Sequence, residues 1–203
     1  MARYTGPKVK ISRRLGVNIF ENEKGARALE LRPYPPGEHG RARPRTSDYA
    51  LQLREKQKLR YSYGVLERQF RRYYAQAAKM PGITGHNLLR LLETRIDNVV
   101  FRAGWARTRP QARQFVSHGL VSINGQRVTI ASQRVRPGDV VTLNEKTKQM
   151  IVIRHNLDTL DVIPPMWFTL DGERMSLTVN AEPTREQIST PVNEMLVIEL
   201  YSR

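Results

Sequence analysis

The sequence contains no cysteine. That absence removes disulfides, thiol nucleophiles and cysteine-ligated zinc together. The four histidines, His39, His86, His118 and His155, stand far apart, in no spacing that gathers metal ligands. Long apolar runs are missing as well. Nothing approaches the roughly 20 residues needed to cross a bilayer, and the mean hydropathy is −0.54. No apolar segment follows the positive charges at the N-terminus, so no secretory signal is expected. Acidic residues are scarce: 19 against 34 lysines and arginines in 203 residues, a net charge of +15. A surplus that large repels itself in a folded chain unless a polyanion supplies counter-charge. Nucleic acid, an anionic membrane surface and acidic proteins are the candidates, and the membrane is the weakest of them. The expected setting is the cytosol, with no membrane partner.

The charge is unevenly spread. Residues 1–72 hold 18 basic and 7 acidic side chains, residues 73–154 hold 13 and 4, and residues 155–203 hold 3 and 8. The first three-quarters therefore face the polyanion and the C-terminal quarter does not.

Residues 1–46 read as an extended basic arm. Pro33, Pro35, Pro36 and Pro44 break helices, and Gly37 and Gly40 loosen the backbone. Arg41, Arg43 and Arg45 alternate there, with Lys8, Lys10, Arg13 and Arg14 upstream. Such a composition fits a solvated, disordered tail, or an arm that orders only on RNA. A helical domain is expected over 47–92. Ser47 caps a helix to about Tyr61, with Tyr49 and Leu53 one turn apart. On the next, about Val65 to Lys79, Leu66, Phe70, Tyr73 and Ala77 share a face, while Arg68, Arg71, Arg72 and Lys79 lie off it. Pro81-Gly82 stops it, and Thr84 caps a third helix. The aromatic residues are read as core, given their helical spacing. Arg54 and Lys58, with Arg68, Arg71 and Arg72, are taken as RNA contacts of this domain.

Residues 93–179 read as a separate unit of two helices and a small, largely antiparallel sheet. Ile96, Val99, Val100 and Ala103 recur at helical spacing and stop at Gly104. Thr108 caps the next helix, Pro110 sits in its first turn, and Gly119 ends it. The period then changes to that of strands. Val121-Ser122-Ile123 leads through Asn124-Gly125, a strong hairpin turn, to a return at Val128–Ile130. Val140–Leu143, Ile151–Ile153, Trp167–Leu170 and Ser176–Val179 read as further strands. The acidic segment 180–203 is expected to pack on the basic helical domain. The fold class is α+β.

The densest constellation lies around the second helix of this unit. Arg107, Arg109 and Arg113 surround its start, and Arg109 and Arg113 are i, i+4 neighbours. A helix N-terminus adds backbone N–H groups and partial positive charge, which attract phosphate. Arg127 beside the hairpin extends the patch. A solvated arginine face is the plainer reading for any single helix. Three arginines at one helix start in a chain this basic turn the balance towards RNA.

The stretch "LETRIDNVVFRAGWARTRPQARQFVSHGLVSINGQRVTIASQRVRPGDVV", residues 92–141, resembles the small RNA-binding module named after small-subunit ribosomal protein four. That module occurs in several families, some tRNA synthetases and pseudouridine synthases among them. The segments "ARYTGPKVKISRRLG", "RPYPPGEHGRAR", "YGVLERQFRRYY", "GITGHNLLRLLE" and "VNEMLVIELYSR" extend the likeness to the bacterial-type ribosomal family itself, over essentially the whole chain. The resemblance implies direct binding to small-subunit (16S) ribosomal RNA around a multi-helix junction, early in assembly of the subunit body. It also implies contacts with small-subunit proteins three and five, a place near the path by which mRNA enters, and an influence on decoding accuracy. Some family members repress their own messenger RNA. Many carry a zinc site on N-terminal cysteines, a feature this cysteine-free sequence does not share, and no cofactor is expected. An RNA-anchored modifying enzyme needs a catalytic domain for which 203 residues leave no room; Asp97 is read as structural. A free RNA chaperone is the other alternative.

Overall fold

The computed structural model of the chain describes residues 3–42, 46–160, 162–172 and 175–202. In chain order its elements are α1 (Lys8–Leu15), α2 (Glu23–Leu31), a 3-10 turn (Glu38–Arg41), α3 (Asp48–Ser62), α4 (Glu67–Ala77), α5 (Thr84–Glu93), α6 (Ile96–Arg102) and α7 (Arg109–Ser117). Then follow β1 (Val121–Ile123), β2 (Gln126–Val128), β3 (Val140–Leu143), α8 (Glu145–Lys148), α9 (Ile151–Thr159), β4 (Phe168–Asp171), β5 (Ser176–Val179) and α10 (Glu194–Tyr201). The class is α+β. Two compact units divide the chain: Met1–Gly85 with Thr190–Arg203, and His86–Ser189.

In the first unit, residues 8–31 correct the expectation of an extended arm. They form α1 and α2, which pack on each other. Ile11 and Leu15, one turn apart on α1, are buried with Ile19 beside Tyr4, Val17, Phe20 and Tyr61. A two-residue apolar stripe suffices because a neighbouring helix supplies the opposing surface. Asn22 caps α2, its side chain accepting from the Gly25 amide at 2.7 Å. Of the helix-breaking prolines, Pro33, Pro35 and Pro36 lie beyond α2, where the described residues make a 3-10 turn, and Pro44 lies outside the described residues. Ser47 caps α3, accepting from the Ala50 amide at 3.3 Å. The side chains it buries are Gln52, Lys56, Leu59 and Ser62 rather than Tyr49, which is 54% exposed. The reason is α10, whose polar groups meet that face. Gln52 donates to Glu199 at 3.0 Å, and Glu55 accepts from the Asn193 amide at 3.1 Å. On α4, Phe70, Tyr73 and Ala77 are buried, and Tyr201 of α10 stacks 4.7 Å from Tyr74.

In the second unit the sheet order is β2-β1-β3-β5-β4, every neighbouring pair antiparallel. Asn124 (φ 50°) and Gly125 (φ 78°) both take the left-handed conformation, as a two-residue hairpin turn demands. That turn pairs Ile123 with Gln126 and Val121 with Val128. The return strand therefore ends at Val128, earlier than expected, and Ile130 is exposed. Val121, Ile123, Val141, Leu143, Leu177 and Val179 pack with Val99, Val100, Ala112 and Val116 of α6 and α7 into one core. Residues 151–153 correct a second expectation: they open helix α9, not a strand. Ile151 is 84% exposed while Ile153 and Asn156 are buried, a spacing of three rather than two. The position beside β3 is taken by β5.

Candidate nucleic-acid interface

The charged residues of α6 and α7 form a largely internal network in the second unit. Thr108 caps α7, accepting from the Gln111 amide at 3.3 Å, while Gln111 accepts from the Arg107 amide at 2.8 Å. Pro110 contributes no N–H. Capping thus occupies donors that the helix start was expected to offer a phosphate. The face bearing Arg109 and Arg113 turns towards α6. Arg109 is 9% exposed; its Nε donates to Asn98 Oδ1 at 3.0 Å and its guanidinium sits 4.3 Å from the Phe101 ring. Arg113, half-buried, reaches Asp97 at 3.4 Å. The same carboxylate accepts from buried Arg95 through Nε at 3.0 Å and through a terminal nitrogen. Arg102 pairs with the buried Glu93 at 2.8 Å. Of the three arginines expected to form a surface patch, only Arg107 is exposed. Asp97 has the structural place assigned to it. Arg127 is exposed on β2, where one terminal nitrogen donates to the His118 carbonyl at 3.0 Å.

In the first unit, carboxylates sort the cations into two sets. Lys56 and Arg60 face Glu67 at 2.8 and 3.8 Å, and Lys58 pairs with Glu55 at 2.6 Å. Burial pushes the Glu67 carboxyl up, but hydrogen bonds from Lys56 and Tyr201 and the charges of Lys56 and Arg60 outweigh it, leaving the group below the usual range. Burial and the same carboxylate push the Tyr201 phenol well up. The other set is exposed. Lys10 and Arg14 on α1, Arg54 on α3, and Arg68, Arg71 and Arg72 on α4 form no ion pair among the described residues. The α4 residues lie at i, i+3 and i+4, off the buried Phe70, Tyr73 and Ala77. Lys8 and Arg13 are half-buried, Lys8 Nζ 5.7 Å from the Phe20 ring. Arg41 is exposed beside Tyr34. Arg43 and Arg45 lie outside the described residues.

Residues 3–93 match the family described as ribosomal protein S4/S9 N-terminal domain, and residues 94–141 match the S4 domain. Over 100% of both chains, the sequence is 52% identical to small ribosomal subunit protein uS4 of Cutibacterium acnes and 52% identical to that of Mycolicibacterium smegmatis. The protein of the same name from Nocardia farcinica is likewise 52% identical, over 100% of both chains. The chain belongs to the uS4 family. The S4-domain match takes in α6, α7, β1 and β2 but stops at Val141, inside β3, so the β4–β5 hairpin lies beyond it.

Several further cations of this uS4-family chain, not expected from the sequence, are exposed. Arg134 and Arg136 flank Val135 and are exposed while Val135 is buried. That alternation was the available signal. Lys146 and Arg154 are exposed as well. Among the described residues, no group of histidine, aspartate or glutamate side chains is placed to hold a metal ion, and no helix is long and apolar enough to cross a membrane.

Proposed function

We propose that this chain, by its family a structural and non-enzymatic rRNA-binding protein of the small ribosomal subunit, binds 16S ribosomal RNA through exposed cations of both units and nucleates assembly of the subunit body. Its place is the small subunit of the cytoplasmic ribosome. Residues 93–179 act as the RNA-binding module, the helical domain 47–92 adds a second basic surface, and residues 1–46 add a third. The observation that carries this reading is the face of α4. Arg68, Arg71 and Arg72 are exposed on an ordered helix, without ion pairs among the described residues, whereas Lys56, Lys58 and Arg60 are neutralised internally. Unpaired cations fixed on a rigid element are what phosphate contacts need. The proposed RNA-binding residues also include Lys8, Lys10, Arg13, Arg14, Arg41, Arg54, Arg107 and Arg127, together with Arg43 and Arg45, which lie outside the described residues. Lys58, Arg109 and Arg113 have internal partners, which argues against a primary role on RNA. Contacts with small-subunit proteins three and five, a position beside incoming mRNA and an influence on decoding accuracy extend the same reading. Filter binding to transcribed 16S rRNA across a salt series tests it. Each neutralised phosphate contributes a slope of roughly −0.7 to −0.9 in log K against log salt, so several contacts give a steep line, and a flat one refutes the proposal.

A further inference from the structure

Two arginines that come from different elements lie against the ring of Tyr34. The Arg13 guanidinium of α1 is 5.2 Å from the Tyr34 ring centre, and that of Arg41, from the 3-10 turn, is 5.0 Å away. A terminal nitrogen of Arg41 also donates to the Tyr34 hydroxyl at 3.3 Å. Arg13 is tied from behind, its Nε donating to the Arg32 carbonyl at 3.3 Å. The backbone that carries Arg41 is tightly fitted: a Cβ on Gly40 would collide with the Pro35 carbonyl oxygen. Neither guanidinium has an ion pair among the described residues. The charges around the ring are those of Arg41, Arg32 and Arg13, and the Arg41 hydrogen bond leads in drawing the phenol below its usual range.

We propose that Tyr34 is a positioning residue for RNA binding: its ring and hydroxyl hold Arg13 and Arg41 together as a two-armed clamp on the phosphates of one strand. Two guanidiniums no more than about 10 Å apart repel each other, most strongly where they lie within the roughly 8 Å screening length of physiological salt. An anion placed against both relieves that repulsion. The ring face attracts each cation without neutralising it, and so orients charge while leaving it available. This inference rests on the rRNA-binding reading.

The test compares wild type, Tyr34→Ala, Tyr34→Phe, Gly40→Ala, Arg41→Ala, the pair Arg13→Ala/Arg41→Ala, and the triple variant, in filter binding to transcribed 16S rRNA over a salt series, with thermal melts alongside. Tyr34→Ala should weaken binding roughly tenfold or more and make the salt slope shallower by about one unit per phosphate no longer neutralised. Tyr34→Phe keeps the ring and should recover part of the loss. Gly40→Ala should resemble Arg41→Ala. Removing Tyr34 from the double-arginine variant should change nothing more. If Tyr34→Ala lowers the melting temperature, the decision passes to Tyr34→Phe and to the cycle, which read coupling rather than folding. Additive losses, or an unchanged slope in Tyr34→Ala, overturn the clamp. If wild type itself fails to bind, the parent reading falls instead.

Discussion

Arg109→Ala separates a buried arginine from a phosphate ligand. In the folded chain Arg109 is 9% exposed, donates to Asn98 at 3.0 Å and sits 4.3 Å from the Phe101 ring. Truncation removes a charge-assisted hydrogen bond worth about 1.5–3 kcal/mol and a cation–π contact of roughly 0.5–2 kcal/mol. It also loosens Asn98, which is itself 2% exposed and donates to the Glu93 carbonyl. These terms overlap, and the net cost should be about 2–4 kcal/mol. For a chain of this size each kcal/mol corresponds to roughly 2–4 °C, so the melting temperature should drop by about 5–15 °C. Arg109→Lys should recover little of it, because an ammonium lacks the planar fork. The assay is a thermal melt paired with rRNA filter binding well below the transition, where affinity should change little. A variant that melts like wild type yet binds tenfold more weakly would refute the reasoning and return Arg109 to the RNA surface.

The opposite pattern is expected for Arg68→Ala/Arg71→Ala/Arg72→Ala. Stability should stay within about 0.5 kcal/mol per site in urea unfolding, while the salt slope becomes shallower by about one unit for each phosphate these arginines had neutralised. Glu67→Gln addresses acid stability. The Glu67 carboxyl is held below its ordinary value of 4.5, so its contribution is complete above that pH and drains as pH falls through the folded value. The glutamine variant should be less stable at neutral pH, and its difference from wild type should shrink in unfolding curves taken below pH 4.5. Zinc should not matter. Metal analysis should find far less than one zinc per chain, and a chelator should leave the melt unchanged, because no cysteine is present to close a site.

What the sequence made legible was local. Ser47 and Thr108 cap helices through bonds to residues three positions on, and Asn124-Gly125 sets its own turn through two left-handed residues. Each needs no information from a distant segment. What stayed hidden depended on distant partners. Helix α1 was obscured because its basic side chains outnumber the buried Ile11 and Leu15, and the surface covering them comes partly from Tyr61. Residues 151–153 have the β-branched composition of a strand, but the neighbour of β3 is β5, more than 30 positions from β3 in sequence. The i, i+4 spacing of Arg109 and Arg113 was readable, whereas the direction of their shared face was not. Asp97 and Asn98 on the preceding helix were the acceptors that decided it.

The hairpin beyond Val141 bears on how this protein can be dissected. A fragment cut at the end of the S4-domain match would sever β3 and discard β5, which pairs with Val140, Val141 and Thr142. It would leave a raw strand edge with open backbone donors and acceptors, a template for chains to join one another. Leu177 and Val179 would leave the core with it. A minimal autonomous module must therefore run through Val179, and shorter pieces should precipitate.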